Sequence, residues 1–334
     1  MKSVEDFFSG KRILVTGGTG SIGGIIVKEL LKLDVDEVCI FSRDEIRQFR
    51  MRKTINDKRL KFVVGDIRDV RSLERAFEDN VFDIVYHTAA MKHVVICEEN
   101  PIEAVKTNII GTQNVIDLAK RYKVPKLINV STDKAVRPYN VMGATKFICE
   151  RIVLNANYTS VRLGNVANSR GSVIPVLIEE MLKKKRISVT DLNVTRFIIR
   201  ASDVAKLLLK VARYAEGGEI FVPRMKAFRL SDLVEVLVEY GASRLGLSPE
   251  EIKVDVTGLA WGEKLHESII DELEVPCLCS LLDDFYVIKP KIRTSVVQGK
   301  HLVLSSEHAE FVSKAELIDL VKECLDTLSF FNVV

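Results

Sequence analysis

Short apolar runs alternate with amphipathic segments through the first half of the chain. Six of these runs have the length and composition of buried strands. They span residues 11–16, 37–41, 60–64, 84–87, 126–131 and 160–163. Helices are predicted between them at 21–33, where the apolar residues have helical spacing, at 44–54, which is charged, and at 70–77, 101–122 and 143–154. Strands that alternate with helices predict the α/β class, with a doubly wound parallel sheet of the Rossmann type.

The alternation weakens after about residue 165. Helices are predicted at 175–185, 202–215 and 230–240, with short strands between them. We therefore expect a Rossmann-type domain in residues 1–165 and a smaller C-terminal substrate lobe in residues 166–290, interleaved with the end of the sheet. Residues 291–334 are expected to form a C-terminal extension.

The composition is that of a globular protein with a substantial core. The chain has 334 residues, of which 47% are hydrophobic and 28% are charged, and its net charge is +3. So small an imbalance is no signature of nucleic-acid binding. No apolar stretch reaches the roughly 20 residues that span a bilayer, and the N-terminus lacks a signal-peptide pattern. We therefore expect a cytoplasmic protein with neither nucleic acid nor membrane as partner.

Six cysteines occur, and two of them, Cys277 and Cys279, form a C-x-C pair. No second pair and no nearby histidine completes a metal-binding set. The cysteines are interpreted as structural thiols, and no metal site is predicted.

A glycine-rich turn follows the first predicted strand and opens the first predicted helix. The first glycine allows a tight turn, the second lets the backbone approach a pyrophosphate, and the third lets helix and strand pack closely. The helix N-terminus offers N–H groups and a positive dipole end to the phosphates. This context predicts a nicotinamide dinucleotide site, the alternative being a turn without a ligand. The expected contacts are Gly17, Thr19, Gly20, Ser21, Ile22 and Gly23.

The end of the second strand decides which dinucleotide is expected. An NAD site would place an acidic residue there for the ribose 2′-hydroxyl, whereas this chain has Ser42 and Arg43, with Arg47 one helical turn later. A hydroxyl and two guanidiniums suit a 2′-phosphate, which predicts NADP as the cofactor. The alternative is an exposed basic helix start in which Asp44 serves as a cap or ribose ligand.

Two further strand ends are expected to contact the cofactor. The third strand is followed by a carboxylate that could bind an adenine amino group, and the fourth by small residues on which the cofactor could lie. These residues are Asp66, Ile67, Ala89 and Ala90.

Taken together, the motifs of the chain resemble those of the extended short-chain dehydrogenase/reductase family. The closer resemblance is to the UDP-N-acetylglucosamine 4,6-dehydratases of polysaccharide biosynthesis, including the inverting type that also epimerises C5. The resemblance runs from about residue 11 to residue 290. Its markers lie at residues 16–23, 41–48, 89–94, 131–146, 164–175, 195–197, 219–223 and 262–267.

The resemblance implies a reaction without net redox change. Hydride leaves C4 of a UDP-N-acetylhexosamine, water is eliminated across C5–C6, and the hydride returns to C6. The product would be a UDP-4-keto-6-deoxy-HexNAc, and UDP-GlcNAc is the expected substrate. Whether C5 is inverted stays open. Family members are homo-oligomers, so a homo-oligomer is expected here.

The resemblance also implies catalytic roles. Lys146 occupies the lysine position of the family's Tyr-x-x-x-Lys pair, but Met142 stands at the tyrosine position, and a thioether cannot accept the C4 hydroxyl proton. That proton is expected to leave through Thr132, Asp133 or a water. The family assigns acid work at C6 to Asp133 and base work at C5 to Lys134. The alternative is a Ser-Thr-Asp cap beside a surface lysine.

Sugar and nucleotide contacts are also implied by the resemblance. Lys92 matches a lysine near both cofactor and sugar, with a solvated loop lysine as the alternative. The second lobe is expected to contribute Asn165, Ser169, Arg170, Val173, Thr190, Arg196 and Glu263. Related sequences carry an arginine shortly before Gly-Glu-Lys, where this chain has Ala260 and Trp261.

Two other functions stay open from the sequence. A UDP-sugar 4-epimerase would share the ketone intermediate but would need no elimination acid and base, which Asp133 and Lys134 provide. An inactive NADP-binding regulator is suggested by Met142 and Ala260.

Overall fold

The computed structural model describes residues 3–78, 80–282, 284–291, 302 and 304–329, except that no side chains are described at 279–282 and 328–329. These residues divide into two compact units. The first contains the residues up to Leu163, Ser202–Arg224 and the described residues from Asp271 to 291. The second contains Gly164–Ala201, Met225–Ile270 and the described residues after 301. The predicted domains are continuous stretches of chain that end at residues 165 and 290, whereas each observed unit is assembled from several segments.

The strands are numbered in chain order. They are β1 (Arg12–Thr16), β2 (Glu37–Ser42), β3 (Leu60–Val64), β4 (Ile84–His87), β5 (Lys126–Thr132), β6 (Thr159–Leu163), β7 (Asn165–Val166), β8 (Arg186–Val189), β9 (Thr195–Ile199), β10 (Ile220–Pro223), β11 (Lys226–Arg229), β12 (Lys253–Val256), β13 (Leu278–Leu282) and β14 (Phe285–Ile288).

The helices are numbered in the same way. They are α1 (Val4–Phe8), α2 (Ser21–Leu30), α3 (Glu45–Thr54), α4 (Val70–Glu78), α5 (Val94–Glu99), α6 (Pro101–Ala104), α7 (Gly111–Arg121), α8 (Val141–Asn155), α9 (Val173–Lys184), α10 (Ala201–Tyr214), α11 (Leu230–Val236), α12 (Ala242–Arg244) and α13 (Lys314–Ser329). Segments of π-helix occupy Val105–Ile110 and Leu237–Gly241, and 3₁₀ turns occupy Asp133–Ala135, Pro249–Glu251 and Glu272–Cys277.

The predicted doubly wound sheet is confirmed in the first unit. Its order in the described residues is β13-β14-β10-β6-β5-β4-β1-β2-β3. All pairs from β3 to β10 are parallel, and the hairpin β13–β14 closes the far side antiparallel to β10. Strand order reverses between β1 and β4, and α/β proteins bind ligands outside the carboxyl ends of the strands at such a point.

The long helix predicted for residues 101–122 differs from the observed one in its interior. It is helical from Pro101 to Arg121, but Val105–Ile110 forms a π-helix between α6 and α7. An additional helix, α5, precedes it. The apolar spacing on which the prediction rested cannot distinguish a local π segment from a continuous α-helix.

The second unit has its own core. Strands β11, β9 and β7 form one small sheet, and β12 pairs with β8 in another. Apolar residues of α9, α11 and α13 pack together with residues of these strands. The predicted extension 291–334 lies partly outside the described residues, and its described helix, α13, belongs to this core. No helix in the described ranges has the length and apolar character required to cross a membrane.

Candidate cofactor and catalytic site

The glycine turn after β1 leaves no space for side chains. Gly17 has a φ of +69°, and a Cβ there would lie 2.8 Å from the backbone nitrogen of Ala89. A Cβ at Gly23 would lie 2.4 Å from the carbonyl oxygen of Gly17. Gly20 is the N-cap of α2, and no side chain caps that helix. The backbone amides at the start of α2 therefore face a cradle of the kind that accepts a pyrophosphate.

The end of β2 combines a buried hydroxyl with two half-exposed arginines. The Ser42 hydroxyl accepts hydrogen bonds from Thr19 Oγ1 at 3.2 Å and Gln48 Nε2 at 3.0 Å. Asp44 caps α3 by accepting from the Arg47 N–H at 2.9 Å, and it also pairs with Arg47 Nε at 3.0 Å. Arg43 lies 3.6 Å from Asp66. Asp44 therefore caps α3, as in the alternative interpretation, and the guanidiniums of Arg43 and Arg47 lie at the surface.

The end of β3 is held by a neighbouring arginine. Arg68 donates to the Asp66 carboxylate from Nε at 2.9 Å and from Nη2 at 2.7 Å. Burial raises the pKa of Asp66, but the Arg68 hydrogen bonds and positive charges outweigh it, so the pKa is lowered overall. Ile67 is buried against Gly111. Asp66 is therefore an ionised acceptor at the edge where adenosine was predicted.

Two adjacent residues after β5 form a buried acid–amine pair. Thr132 Oγ1 donates to Asp133 Oδ1 at 2.9 Å, and Lys134 Nζ donates to the same oxygen at 3.1 Å. The Asp133 side chain is fully buried, whereas that of Lys134 is 18% exposed. The second carboxyl oxygen, Asp133 Oδ2, is buried and has no hydrogen-bond partner among the described residues. Lys134 is therefore not the surface lysine of the alternative interpretation.

Helix α8 places Lys146 and Met142 in different surroundings. Lys146 is buried, and its Nζ donates to the carbonyl oxygen of Val130 at 2.6 Å. Burial lowers the pKa of Lys146, opposed by nearby Cys149 and Glu150. Met142 is buried in an apolar cluster with Cys97 and Ala104. Met142 therefore has the surroundings of a buried core residue.

The segment after β4 carries the remaining predicted residues of the first unit. Ala89 lies against the glycine turn, Ala90 follows it, and Lys92 is exposed. His87 is buried, with Thr16 on one ring nitrogen at 2.7 Å and Thr112 on the other at 2.9 Å. Burial, with the Lys146 charge, lowers the pKa of His87 to about 3. His87 is therefore a neutral core residue.

The sequence interpretation missed Asn108. It lies in the π-helix and is buried, and its amide oxygen accepts from the backbone N–H of Met91 at 2.8 Å. Its amide nitrogen donates to the Met91 carbonyl oxygen at 3.0 Å and to Thr145 Oγ1 at 2.9 Å. One side chain thus fixes the segment after β4 to the residue next to Lys146. An asparagine in the interior of a predicted helix, where its intrinsic propensity is poor, was the available signal.

In the second unit, Arg196 and Glu263 bind each other. Arg196 is buried, and its Nη2 donates to Glu263 Oε1 at 2.8 Å. The same guanidinium donates to the carbonyl oxygens of Thr195, Lys264 and Leu265. Most of its donors are therefore used within the protein, and the arginine fixes the loop that carries Glu263. Trp261, in that loop, is 84% exposed.

The other predicted residues of the second unit lie on or near its strands and α9. Asn165 begins β7, Thr190 follows β8, and Val173 begins α9. In the turn before α9, Ser169 is buried and Arg170 is exposed. Their assignment as ligand contacts stays a prediction.

Comparison with protein families gives one match over most of the chain. The family model described as "Polysaccharide biosynthesis protein" matches residues 13–289. A Methanocaldococcus jannaschii protein described as an uncharacterized membrane protein is 41% identical over 96% of this chain and 98% of its own length. The inverting UDP-N-acetylglucosamine 4,6-dehydratase of Campylobacter jejuni is 37% identical over 86% of this chain and 85% of its own. A UDP-glucose 4-epimerase of Rickettsia bellii is 35% identical over 97% of both chains.

Solved structures give the same fold. The X-ray structure of Pen from Bacillus thuringiensis matches with a TM-score of 0.88 and 37% identity, covering 96% of this chain and 99% of that one. The UDP-glucose 4-epimerase of Thermus thermophilus, in complex with NAD, matches with a TM-score of 0.64 and 24% identity, covering 75% and 88%. The second likeness bears on the fold alone.

Proposed function

Because the chain belongs to the polysaccharide biosynthesis protein family, we propose that it is a UDP-sugar hydro-lyase that converts UDP-GlcNAc to a UDP-4-keto-6-deoxy-HexNAc with NADP as cofactor. The names of its relatives support a nucleotide-sugar dehydratase or epimerase. The single observation that favours dehydration is the buried Asp133–Lys134 pair beside Thr132, because elimination of water requires an acid and a base.

The glycine turn fits a dinucleotide. Side chains at Gly17 or Gly23 would collide with the backbone that shapes the turn, and the amides at the start of α2 suit phosphate oxygens. Further residues proposed to hold the cofactor are Ser42, Arg43, Arg47, Asp66 and Lys146. When bound, the nicotinamide supplies the acceptor for the C4 hydride and the donor that returns it to C6.

The proton steps balance if Lys134 is neutral and Asp133 is ionised when the sugar binds. The C4 hydroxyl proton passes to Thr132, whose hydroxyl proton passes to Asp133 Oδ1 over their 2.9 Å hydrogen bond. Asp133 is then the acid and Lys134 the base. This relay replaces the tyrosine that Met142 displaces, and it gives Thr132 a role in catalysis.

Elimination then uses both Asp133 and Lys134. Lys134 takes the C5 proton, and Asp133 gives its proton to the C6 hydroxyl, which leaves as water. The resulting ion pair is stabilised by the 3.1 Å contact between Lys134 Nζ and Asp133 Oδ1. Lys134 returns a proton to C5 when hydride reaches C6, which restores the starting forms. The face of C5 that receives this proton determines whether C5 is inverted.

The second candidate function is 4-epimerisation, and the similarity to the Rickettsia epimerase favours it. Incubation of the protein with UDP-GlcNAc and NADP⁺, followed by NMR of the product, separates the candidates. We expect a 4-keto-6-deoxy sugar, and the spectrum also reports the configuration at C5. Formation of UDP-GalNAc would establish the epimerase instead. Bound cofactor without turnover of any UDP-sugar would support a regulator and refute both enzymes.

The preference for NADP gives a separate prediction. Replacing Arg43 and Arg47 together with alanine should weaken NADP binding by roughly 10-fold or more, because each charge-assisted hydrogen bond contributes about 1.5–3 kcal/mol. NAD, which lacks the 2′-phosphate, should lose much less affinity. Isothermal titration with both dinucleotides measures the difference. Arg52→Ala is the matched control, since Arg52 lies on the same helix over the Phe62 ring. Tighter binding of NAD than NADP by the unaltered protein would remove the argument.

The buried position of Met142 also gives a prediction. Met142→Ala should lower the free energy of unfolding by about 2–5 kcal/mol, as for other large-to-small core substitutions. Its effect on kcat should be much smaller than that of Lys134→Ala, because a thioether moves no proton. Met142→Leu, which conserves volume, is the control and should change the stability little. Denaturant unfolding and steady-state kinetics measure the two effects. A kcat loss as large as that of Lys134→Ala would show that Met142 takes part in the chemistry.

Assembly and cellular location are further proposals from the resemblance. We propose a cytoplasmic homo-oligomer in which the second unit contributes the nucleotide-sugar contacts. Light scattering on the purified protein would measure the mass in solution, and a monomer would contradict the proposed assembly.

A further inference from the structure

An acidic segment of the first unit is tied to the candidate catalytic residues by two arginines. The acidic strap, as we define it, consists of Asp271 and the 3₁₀ turn Glu272–Cys277. The catalytic loop is residues 133–140, between β5 and α8. Both belong to the first unit, and they are far apart in sequence.

The first tie is made by Arg137. This residue has a φ of +43°, in the left-handed region that is uncommon for residues other than glycine. Its Nε donates to Asp271 Oδ2 at 2.6 Å, and its Nη2 donates to Glu272 Oε2 at 3.4 Å. A backbone conformation of this kind persists when its surroundings hold it. The Asp271 contact is such a restraint, three residues after Lys134.

The second tie is buried. The Arg162 side chain is 1% exposed, and it lies between Glu150 and Glu274. Its Nε and Nη2 bind Glu150 at 2.9 and 2.8 Å, and its Nη1 and Nη2 bind Glu274 at 2.6 and 2.7 Å. Both pairs are bidentate, a geometry that fixes orientation as well as distance. Glu150 lies one helical turn after Lys146 on α8.

The two ties are joined within the strap itself. Asp271 and Glu274 form a capping box, in which the Glu274 carboxylate accepts from the Asp271 N–H at 3.0 Å. A displacement of Asp271 therefore moves the carboxylate that holds Arg162. Two guanidiniums and four carboxylates thus form one connected network from the catalytic loop to α8.

The catalytic loop has little freedom to move alone. A Cβ on Gly143 would lie 2.3 Å from the carbonyl oxygen of Lys134, so the loop and the start of α8 are in close contact. Asn140 Oδ1 caps α8 by accepting from the Gly143 N–H at 2.7 Å. The loop is therefore fixed to α8 at one side and to the acidic strap at the other.

We propose that the acidic strap positions the Asp133–Lys134 pair for elimination. Arg137 is the positioning residue, because its ion pair with Asp271 fixes the catalytic loop to the strap. The inference rests on the proposed function for its catalytic readout. Arg137 touches neither reacting atom; it determines where the loop lies. Small displacements of catalytic groups are costly, since about 1 Å can lower a rate 10²-fold.

The test compares Arg137→Ala with Arg137→Lys in the full-length protein with NADP bound. In Arg137→Ala we expect amide exchange of residues 133–140 to become about tenfold faster, as local restraint is lost. We expect kcat to fall about tenfold with KM within twofold, because positioning rather than binding is affected. Arg137→Lys retains a cation for Asp271 and should recover most of both properties.

Arg121→Ala is the matched control. Arg121 is similarly exposed, and it makes one ion pair of the same 2.6 Å length, with Glu74. It should change neither exchange at 133–140 nor kcat. Asp271→Asn should reproduce the effect of Arg137→Ala, and the double variant should be no worse than either single one, as expected when both remove one interaction.

Two results would overturn the proposal. Unchanged exchange at 133–140 in Arg137→Ala would show that the strap does not hold the loop. Faster exchange with unchanged kcat would show that restraint of the catalytic loop by the acidic strap does not contribute to catalysis. Failure of the unaltered protein to dehydrate UDP-GlcNAc would refute the proposed function instead, and the exchange measurement would still decide whether the strap restrains the loop.

Discussion

Replacing Lys134 with alanine should lower kcat for dehydration by roughly 10²–10⁴-fold, the usual contribution of a general acid–base group. The substitution removes the amine 3.1 Å from Asp133 Oδ1 and leaves no base at C5. NADP should stay bound, because Lys134 is not among the residues proposed to hold the cofactor. Product formation from UDP-GlcNAc, measured with the cofactor content of the purified variant, checks both parts.

Lys134→Arg makes this test specific to proton transfer. Arginine keeps the positive partner for Asp133 but cannot be deprotonated in a protein. We expect it to be nearly as inactive as alanine. Lys106→Ala, which removes an exposed lysine paired with Glu103, should be close to the unaltered protein. Substantial turnover in Lys134→Arg would show that the lysine acts only by its charge, and turnover in Lys134→Ala would refute its role.

Gly17→Ala should sharply reduce cofactor binding. The added Cβ would lie 2.8 Å from the backbone nitrogen of Ala89, so the turn must move and its amides must leave the phosphates. Each charge-assisted hydrogen bond that is lost costs about 1.5–3 kcal/mol, or roughly 10–100-fold in affinity. Titration with NADP measures the loss.

Gly10→Ala separates backbone strain from this close approach. Gly10 has almost the same φ, +70°, but no atom lies within 4 Å of its added Cβ. Gly10→Ala should lose about 1–2 kcal/mol of stability, the cost of a left-handed residue with a side chain, and Gly17→Ala should lose at least as much. Only Gly17→Ala should lose NADP affinity. Equal affinities in the two variants would mean that the turn does not bind phosphates.

Six strands of the sheet were predictable within one residue at each end. Each is a short apolar run with polar residues or glycine beside it, and a strand buried on both faces by helices needs just such a run. The site edge followed from the same pattern, since the residues after β1, β2, β4 and β5 must meet at one edge of a parallel sheet. The pattern places Asp133 and Lys134 at this edge, whereas their proposed catalytic roles come only from the family resemblance.

Residues that act through tertiary contacts were not predictable in the same way. The sequence around Asn108 and Arg162 does not indicate their partners, because only the folded chain brings Met91 to the first and Glu150 and Glu274 to the second. Arg196, implied as a nucleotide-sugar contact, binds Glu263 and three carbonyl oxygens. A sequence shows which groups can donate hydrogen bonds, but the tertiary structure determines which acceptors they bind.

The π-helix at Val105–Ile110 makes the length of this stretch as important as its chemistry. A π-helical turn contains one residue more than an α-helical turn, so deletion of one residue from this segment can be absorbed by its conversion to regular α-helix. Such a deletion would leave Val115 and Ile116 in the core they share with β4, but it would remove the wider turn in which Asn108 contacts Met91 and Thr145. A single-codon deletion here would therefore loosen the segment after β4 while the helix around it stays intact.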